Sequence, residues 1–558
     1  MFAHAAALPI RRLSAILAIA ALALVAVPTA ASAEPDHAGR ALPALVPVGQ
    51  GDGLSRALVA GRLTEAEYAL ERAASLFAHD DVARRFGDVA RVDAHLATLV
   101  FRDLAVRVRD LSGADRTRAL SLLARPDDDE RKRFEDDDPE YGDRVVTKLC
   151  DANQCVHFVD DDAYPNFDHA ADDAYAAEVF DTMQTVWTTE VNGYGYREPK
   201  DDSAVLNGTS NGGDGRFDIY LANIRPLGGL YGYCWTNDAK VLTNYTTYDF
   251  STYCVLDDDY VGYGYADPTD PLQVTAAHEF FHAVQGAYDF LEDGYFMEGT
   301  ATWMEDEVFD DVNDNHFYLP ASPLRNPTIP LDKVAGLRVY GTWIWWRFLV
   351  ESFGDTDLIR DIWDRADGAA GGPDKYSTQA TALEVKSRGS TFGEAFADFA
   401  AWNKKPSAFY DEGASYPSSK NQESRTISRS KRSFVSNAAL DHLTSRGIVV
   451  KRGSGVSADA KLKVAIDGPT GKTTPEARVV LFEAGGAVSI VTYALNDEGR
   501  GTKRVAFGDG VKKAVVLVVN ASTRFKQCYT DYPSATYSCA GVPVDENLGF
   551  KVTATLIQ

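Results

Sequence analysis

The residues best suited to do chemistry lie in one short segment of the chain. His278 and His282 are four residues apart, and Glu279 directly follows the first histidine. Residues four apart lie on the same face of a helix, so the two imidazoles can bind one metal ion. Zinc is typical of this spacing, and a glutamate in the second position can take a proton from a water that the metal activates. The spacing predicts a hydrolytic zinc site with Glu279 as general base.

The flanking sequence predicts that this segment is a buried helix. Asp270 can cap the helix and Pro271 suits its first turn, while Gly286 can help to end it. Apolar neighbours such as Phe281 and Val284 indicate burial. Buried imidazoles need partners for their ring nitrogens, and a metal ion supplies one. Two surface histidines on an amphipathic helix are the alternative.

A catalytic zinc ion needs a third protein ligand and an open coordination position. Residues 295–305 are predicted to begin a second helix, and Glu298 at its start can reach the metal. The alternative third ligands are Glu292, Asp293, Glu305 and His316. The first two are expected in a solvated turn, and the histidine is expected in a surface loop.

Together these motifs resemble those of the gluzincin metallopeptidases, the group of zincins that contains thermolysin-like proteases and zinc aminopeptidases. Members pair the histidine motif with E-G-x-A-x-x-x-E on a following helix, and Glu298-Gly299-Thr300-Ala301 through Glu305 matches that pattern. The resemblance implies Glu298 as the third zinc ligand and Glu305 as a carboxylate that supports the ligands. It also implies a zincin-like fold, in which a twisted sheet lies above the motif helix and a cleft separates them.

The resemblance has defined limits. The motifs span residues 278–305, and the layout is similar over residues 144–410. The short connection from His282 to Glu298 requires a tight loop. Gln285 and Tyr288 stand where a metzincin needs Gly and His, which excludes that subgroup. No G-x-M-x-N sequence precedes the helix, so an endopeptidase is favoured over an aminopeptidase. Exported bacterial proteases are the most similar members.

Peptide hydrolysis also needs a donor for the oxyanion that forms at the carbonyl. Tyr340 opens a further predicted helix and could supply its phenol. It could equally be a core residue beneath the aromatic run that includes Trp343 and Trp345. His316 is another candidate for lining the cleft.

The first 33 residues have the features of a secretory signal peptide. Arg11 and Arg12 precede an apolar run over residues 13–27, and a small-residue cleavage site follows at residues 31–33. No later stretch is long and apolar enough to predict a transmembrane anchor. The chain is therefore expected to be secreted.

Charge and cysteine content agree with an extracellular hydrolase. A formal net charge of -25 argues against nucleic acid and anionic membrane surfaces as main partners. The peptidase motif predicts protein or peptide substrates. The six cysteines of an exported chain are expected to form disulfides. Because loop closure favours near neighbours, the predicted pairs are Cys150–Cys155, Cys234–Cys254 and Cys528–Cys539.

The chain divides into regions that differ in composition and predicted secondary structure. The fold class expected is α+β. After the signal peptide, residues 34–142 form a helical region with an acidic linker, which is either a removable propeptide or a permanent domain. Residues 143–412 are expected to be the metallopeptidase domain. Residues 413–433 are predicted to be a linker, and residues 434–558 a β-sandwich that could bind a surface or glycan ligand.

The predicted function is that of a secreted zinc-dependent endopeptidase. The alternatives are a zinc-containing extracellular binding or adhesion protein and a non-peptidase zinc hydrolase. Calcium is a second candidate ion, at Asp214, Asp218 and the acidic segments 160–162 and 257–259. None of these has EF-hand spacing, so solvated loops are the alternative interpretation.

Overall fold

A computed structural model describes residues 45–46, 48–49, 51–93, 96–128, 139–206, 208–529 and 536–558. The expected signal peptide lies outside these residues, as do residues 129–138 of the acidic linker. All described residues belong to one unit that begins at Ala41. Within the described ranges, no helix is long and apolar enough to cross a membrane.

The N-terminal region is helical, as predicted. Thr64 and Glu67 form a capping box at the start of the second helix, where each side chain accepts a hydrogen bond from the backbone of the other residue. The α-helices in the described part of this region are α1 (Gly53–Val59), α2 (Glu65–Phe77), α3 (His79–Phe86), α4 (Ala97–Ala105) and α5 (Gly113–Leu122). Every residue of α4 is buried, so this helix lies inside the molecule.

A six-stranded mixed sheet forms the middle of the chain. Its elements are β1 (Val146–Cys150), β2 (Gln154–Asp160), β3 (Ala170–Ala171), α6 (Asp173–Trp187), β4 (Phe217–Leu221), β5 (Gly232–Trp235), α7 (Ala239–Thr243) and β6 (Tyr253–Leu256). The strand order is β1-β2-β4-β6-β5, with β3 beside β2. Strands β2, β4 and β6 run parallel, whereas the edge strand β5 runs antiparallel to β6.

Helices fill the next part of the chain. They are α8 (Thr269–Gly286), α9 (Gly294–Val308), α10 (Trp343–Phe353), α11 (Leu358–Ala366), α12 (Ser377–Ser387) and α13 (Phe392–Trp402). Helix α8 packs against α6 and α9 and against strands β5 and β6. It begins before the predicted cap: Asp270 lies in its first turn, and Asp267 accepts the hydrogen bond from the backbone N–H of Thr269 at 3.0 Å. The expectation that Asp270 caps α8 is therefore wrong.

Two antiparallel-rich sheets form the C-terminal region and enclose one apolar cluster. Their strands are β7 (Glu423–Ile427), β8 (Ser433–Leu440), β9 (Thr444–Arg452), β10 (Lys461–Asp467), β11 (Pro475–Glu483), β12 (Val488–Tyr493), β13 (Arg500–Ala506), β14 (Val511–Asn520), β15 (Phe525–Lys526), β16 (Val542–Pro543) and β17 (Leu548–Ile557). One sheet has the order β13-β10-β17-β8 and the other β12-β11-β14-β9-β7. Strand β7 lies within the predicted linker and pairs in parallel with β9. This part of the linker is thus ordered structure.

The three predicted disulfides are present. Cys150–Cys155 closes the β1–β2 hairpin, and Cys234–Cys254 joins directly opposite residues of β5 and β6. Cys528–Cys539 closes a loop in the C-terminal region. These bonds fit the expectation of an exported protein.

Candidate functional site

Helices α8 and α9 bring the three predicted metal ligands together. The Nε2 atoms of His278 and His282 lie 3.3 and 3.4 Å from the same carboxylate oxygen, Oε2 of Glu298. Ligand atoms of all three residues lie within 4.8 Å of one another. The connection between the helices, residues 287–293, is short, as the sequence predicted, and it is buried for most of its length. In this arrangement, three potential metal-ligand atoms face one point.

The opposite ring nitrogens of the histidines are held by hydrogen bonds. His278 Nδ1 lies 2.7 Å from Oε1 of Glu305, and His282 Nδ1 lies 2.8 Å from Oε1 of Gln285. Because these partners are oxygen acceptors, each Nδ1 donates a proton to its partner, and each Nε2 faces the carboxylate of Glu298. Gln285 is fixed in turn, since its amide donates to the carbonyl of Met297 at 2.8 Å. The two rings therefore have defined orientations.

The site is buried and rich in negative charge. Burial raises the pKa of Glu298, but the two histidines outweigh it and hold the pKa at about 2. Burial lowers the pKa of His278, but hydrogen bonds that its ring donates to Glu298 and Glu305 outweigh burial, so the pKa lies well above its usual value. Glu279 adds a third carboxylate to the same site. Carboxylates in such a low-dielectric site need a positive partner, and a divalent cation would supply it.

Glu279 lies between α8 and strand β5. A Cβ atom at Gly232 would lie 2.8 Å from Cγ of Glu279, so only glycine permits this close approach. Burial raises the pKa of Glu279, while the neighbouring His282 and His278 act to lower it; the net shift is upward. Among the described residues, its Oε2 atom has no hydrogen-bond partner. The side chain can thus accept a proton from a molecule in the adjoining cavity.

A cavity of about 400 Å³ opens beside the histidines and Glu279. Its aromatic walls are formed by Tyr231, Tyr263, Tyr265, Phe317, Tyr318 and Tyr340. The ring of Tyr340 stacks on that of His278, with 5.6 Å between centroids and 20° between planes. Tyr340 is both buried and part of the cavity wall, so it is close enough to the candidate ligands to act on a bound molecule. Cavities of this size accommodate a segment of substrate.

His316 lies away from this cavity. Its ring stacks on Trp343 and meets Tyr416 edge to face, and its Nε2 atom is 3.5 Å from a carboxylate oxygen of Glu412. It is absent from the cavity wall, which Asp314 and Phe317 of the same segment do line. The structure therefore gives no support to His316 as a third ligand or a cleft residue.

Glu292 is buried, contrary to expectation, and Asp293 is only partly exposed. The carboxylate of Glu292 is buried and accepts hydrogen bonds from the backbone N–H groups of Asp293 and Ser377. Asp293 accepts from the backbone N–H of Cys539 at 2.8 Å and from the hydroxyl of Ser377. Both residues form hydrogen bonds that connect the start of α9 to segments far away in the sequence, at Ser377 and Cys539. Neither residue belongs to the group formed by the two histidines and Glu298.

Sequence reasoning missed several residues of the site, among them Gln285 and Thr98. Gln285 forms a hydrogen bond with His282. The sequence could have indicated this contact, because Gln285 follows His282 by three residues on the same helix. Thr98 of α4 also lines the cavity. It lies 180 positions before His278 in the chain, so no local pattern could indicate it.

Of the acidic residues considered for calcium, Asp218, Asp257 and Asp258 are buried, and the others are exposed or partly exposed. Asp218 forms an ion pair with Arg125 and lies 2.6 Å from Nε2 of His157. Asp257 accepts hydrogen bonds from the backbone N–H groups of Ile224 and Tyr260, at 3.1 and 2.8 Å. The interpretation of these two residues as solvated loops is therefore wrong. Calcium binding at residues 257–259 stays a prediction.

Comparisons with known proteins do not place the chain in a family. No protein family matches the sequence, and no curated protein matches it. Among solved structures, a periplasmic inhibitor of g-type lysozyme from Aeromonas hydrophila is 13% identical, with a TM-score of 0.13, covering 24% of this chain and 98% of that one. A 4-O-methyl-α-glucuronidase of family GH115 is 7% identical, with a TM-score of 0.13, covering 52% of this chain and 38% of that one.

Proposed function

We propose that this protein is a secreted zinc-dependent endopeptidase. The supporting observation is the convergence of His278, His282 and Glu298 beside a cavity that Glu279 also lines. Two imidazoles and one carboxylate are a common ligand set of catalytic zinc, which also keeps one position open. The acceptors on both Nδ1 atoms support the same interpretation, because histidines that bind zinc usually donate their other nitrogen to such groups.

The residues of the chain have distinct roles in this proposal. A zinc ion bound by the three ligands would make a water more acidic and polarise the scissile carbonyl. Glu279 takes the proton of the attacking water and later returns it to the leaving amine. Its raised pKa favours this role, since a carboxylate with a higher pKa accepts a proton more readily. Tyr340 is the candidate donor to the oxyanion.

The surrounding fold is consistent with a zincin-like catalytic domain, which we include in the proposal. A mixed sheet whose edge strand β5 runs antiparallel lies against helix α8, and the cavity lies where α8 meets β5. Three disulfides fit the expected export. The apolar and aromatic cavity walls would exclude water around the reacting groups.

The decisive experiment compares the wild-type protein with Glu279→Gln on casein and on small ester substrates. We expect chelator-sensitive cleavage of casein by the wild type, restored by added zinc. The Gln variant should bind zinc normally, yet lose about 10²- to 10⁴-fold in kcat, because it lacks the proton acceptor. Glu498→Gln is the matched control, since it makes the same change at an exposed residue of the C-terminal region.

Each rival function predicts a different result. A non-peptidase zinc hydrolase would cleave esters but leave casein intact. A binding or adhesion protein with structural zinc would cleave neither substrate, and full activity of Glu279→Gln would refute the assigned role of Glu279.

A further inference from the structure

The helical N-terminal region contributes directly to the wall of the candidate active site. Thr98, on α4, lines the same cavity as His278 and Glu279. Its Oγ1 atom accepts a hydrogen bond from the backbone N–H of Cys234 on β5, at 3.2 Å. Thr98 therefore lies where α4, β5 and the side chain of Glu279 meet.

The hydrogen-bonding capacity of Thr98 suits it to hold a carboxylate. A hydroxyl has one proton to donate and two lone pairs that can accept. Because the N–H of Cys234 occupies a lone pair, the proton of the Thr98 hydroxyl is available to the side of the cavity that Glu279 also lines. Gly232, two residues before Cys234 on β5, packs closely against Cγ of Glu279. Thr98 and Gly232 thus lie where they can restrict the orientation of the Glu279 side chain.

The contacts of α4 with the catalytic region are extensive and buried. The ring of Phe101 lies 3.7 Å, centroid to centroid, from that of Trp235 on β5. The guanidinium of Arg102 donates to the backbone carbonyl of Glu292 at 2.7 Å, next to the start of α9. Helix α4 thus contacts both the strand beside Glu279 and the helix that carries Glu298.

A second anchor lies at the end of the N-terminal region. Arg125 is fully buried and pairs with two buried carboxylates, those of Asp202 and Asp218. Removing Arg125 would leave these carboxylates buried without their cation, which is strongly unfavourable. A segment that leaves the enzyme on activation should not supply the charge partner of its core.

We infer that the N-terminal helical region is a permanent part of the catalytic unit, and that Thr98 is a positioning residue for Glu279. The inference rests on the proposed peptidase function. It also selects between the two interpretations of residues 34–142, favouring a retained domain over a removable propeptide.

The test uses the full secreted chain with the substitutions Thr98→Val and Thr98→Ser. Valine keeps the shape but lacks the hydroxyl, so we expect kcat to fall roughly 10-fold or more while KM and zinc content stay unchanged. Serine keeps the hydroxyl and should restore most of the activity. Thr117→Val is the matched control, because Thr117 is an exposed residue of α5 in the same region.

The second measurement is the intact mass of the active protein purified from the culture medium, before and after denaturation. We expect residues 51–128 to be present, either within one chain or as a fragment that stays bound. An active enzyme that lacks them, or a Thr98→Val variant as active as the wild type, would overturn the inference. Absence of hydrolysis by the wild type would instead refute the proposed function.

Discussion

Replacing Glu305 tests whether a hydrogen bond behind His278 supports metal binding. Glu305 accepts the Nδ1 proton of His278 at 2.7 Å, and neither side chain is exposed by more than 8%. Glu305→Gln keeps the size and an acceptor oxygen but removes the charge. Glu305→Leu also removes the acceptor and leaves the N–H of a buried imidazole without a partner.

The expected magnitudes follow from these two differences. Loss of an outer hydrogen-bond partner typically weakens metal affinity by about 10- to 100-fold. The Gln variant should lie near the lower value, about 1.4 kcal/mol, since it loses only the charge assistance. The Leu variant should lie near the upper value, about 2.7 kcal/mol, which is within the cost of about 1 to 3 kcal/mol for an unsatisfied buried donor.

The assay is competition for zinc against a chromogenic chelator, which reports affinity without reference to activity. Glu498→Gln, an exposed change of the same chemistry, should bind zinc as the wild type does. Thermal melting at saturating zinc checks that each variant is folded. Wild-type zinc affinity in both Glu305 variants would refute the idea that this carboxylate orients His278.

Two further predictions concern buried ionisable groups that are not themselves candidate ligands. Both carboxylate oxygens of Glu190 lack partners among the described residues, and burial raises its pKa, so its contribution to stability is present below about pH 4.5 and falls as the pH rises. Glu190→Met should therefore raise the free energy of unfolding at pH 8 by about 1 to 4 kcal/mol, measured by urea denaturation, and a destabilised variant would contradict this. Burial lowers the pKa of His442, but Asp332 and Glu546, with Asp441 nearby, outweigh burial and raise it to about 9. Stability from this group is complete below about pH 6.5 and is lost as the pH rises through about 9, by at most about 3 kcal/mol. His442→Gln should flatten that dependence in denaturation curves between pH 6 and 10, and an unchanged slope would argue against it.

The parts of the site that the sequence could predict are those set by local geometry. His278 and His282 share a helical face because they are four residues apart, and Glu298 follows on the next helix. A short, buried connection then brings the second helix alongside the first. The contacts of Glu292 with Ser377, and of Thr98 with Cys234, join residues far apart in the chain. Spacing carries no information about such contacts, so they had to be seen in three dimensions.

Two strands of the C-terminal region show the same limit. Strands β8 and β13 have few buried side chains: in β13 only Val505 is fully buried. The sequence of β13 contains Gly501 and Lys503, and both residue types are depleted in strands. Both strands form because neighbours supply hydrogen-bond partners, as β10 does along the whole of β13. Tertiary pairing here outweighs local composition.

The contrast between Asp257 and Glu279 gives the strongest reason to prefer an enzyme over a structural zinc protein. Both carboxylates are buried. Asp257 accepts from backbone N–H groups and from the hydroxyl of Tyr263, as a carboxylate that stabilises a loop should. Glu279 instead has an oxygen without a hydrogen-bond partner in the described part of the chain, and it lines the cavity beside three convergent ligand atoms. Burying a carboxylate that has an unpaired oxygen costs stability. A purely structural site would gain nothing by retaining such a carboxylate. A proton acceptor for a bound water explains both its burial and its unpaired oxygen.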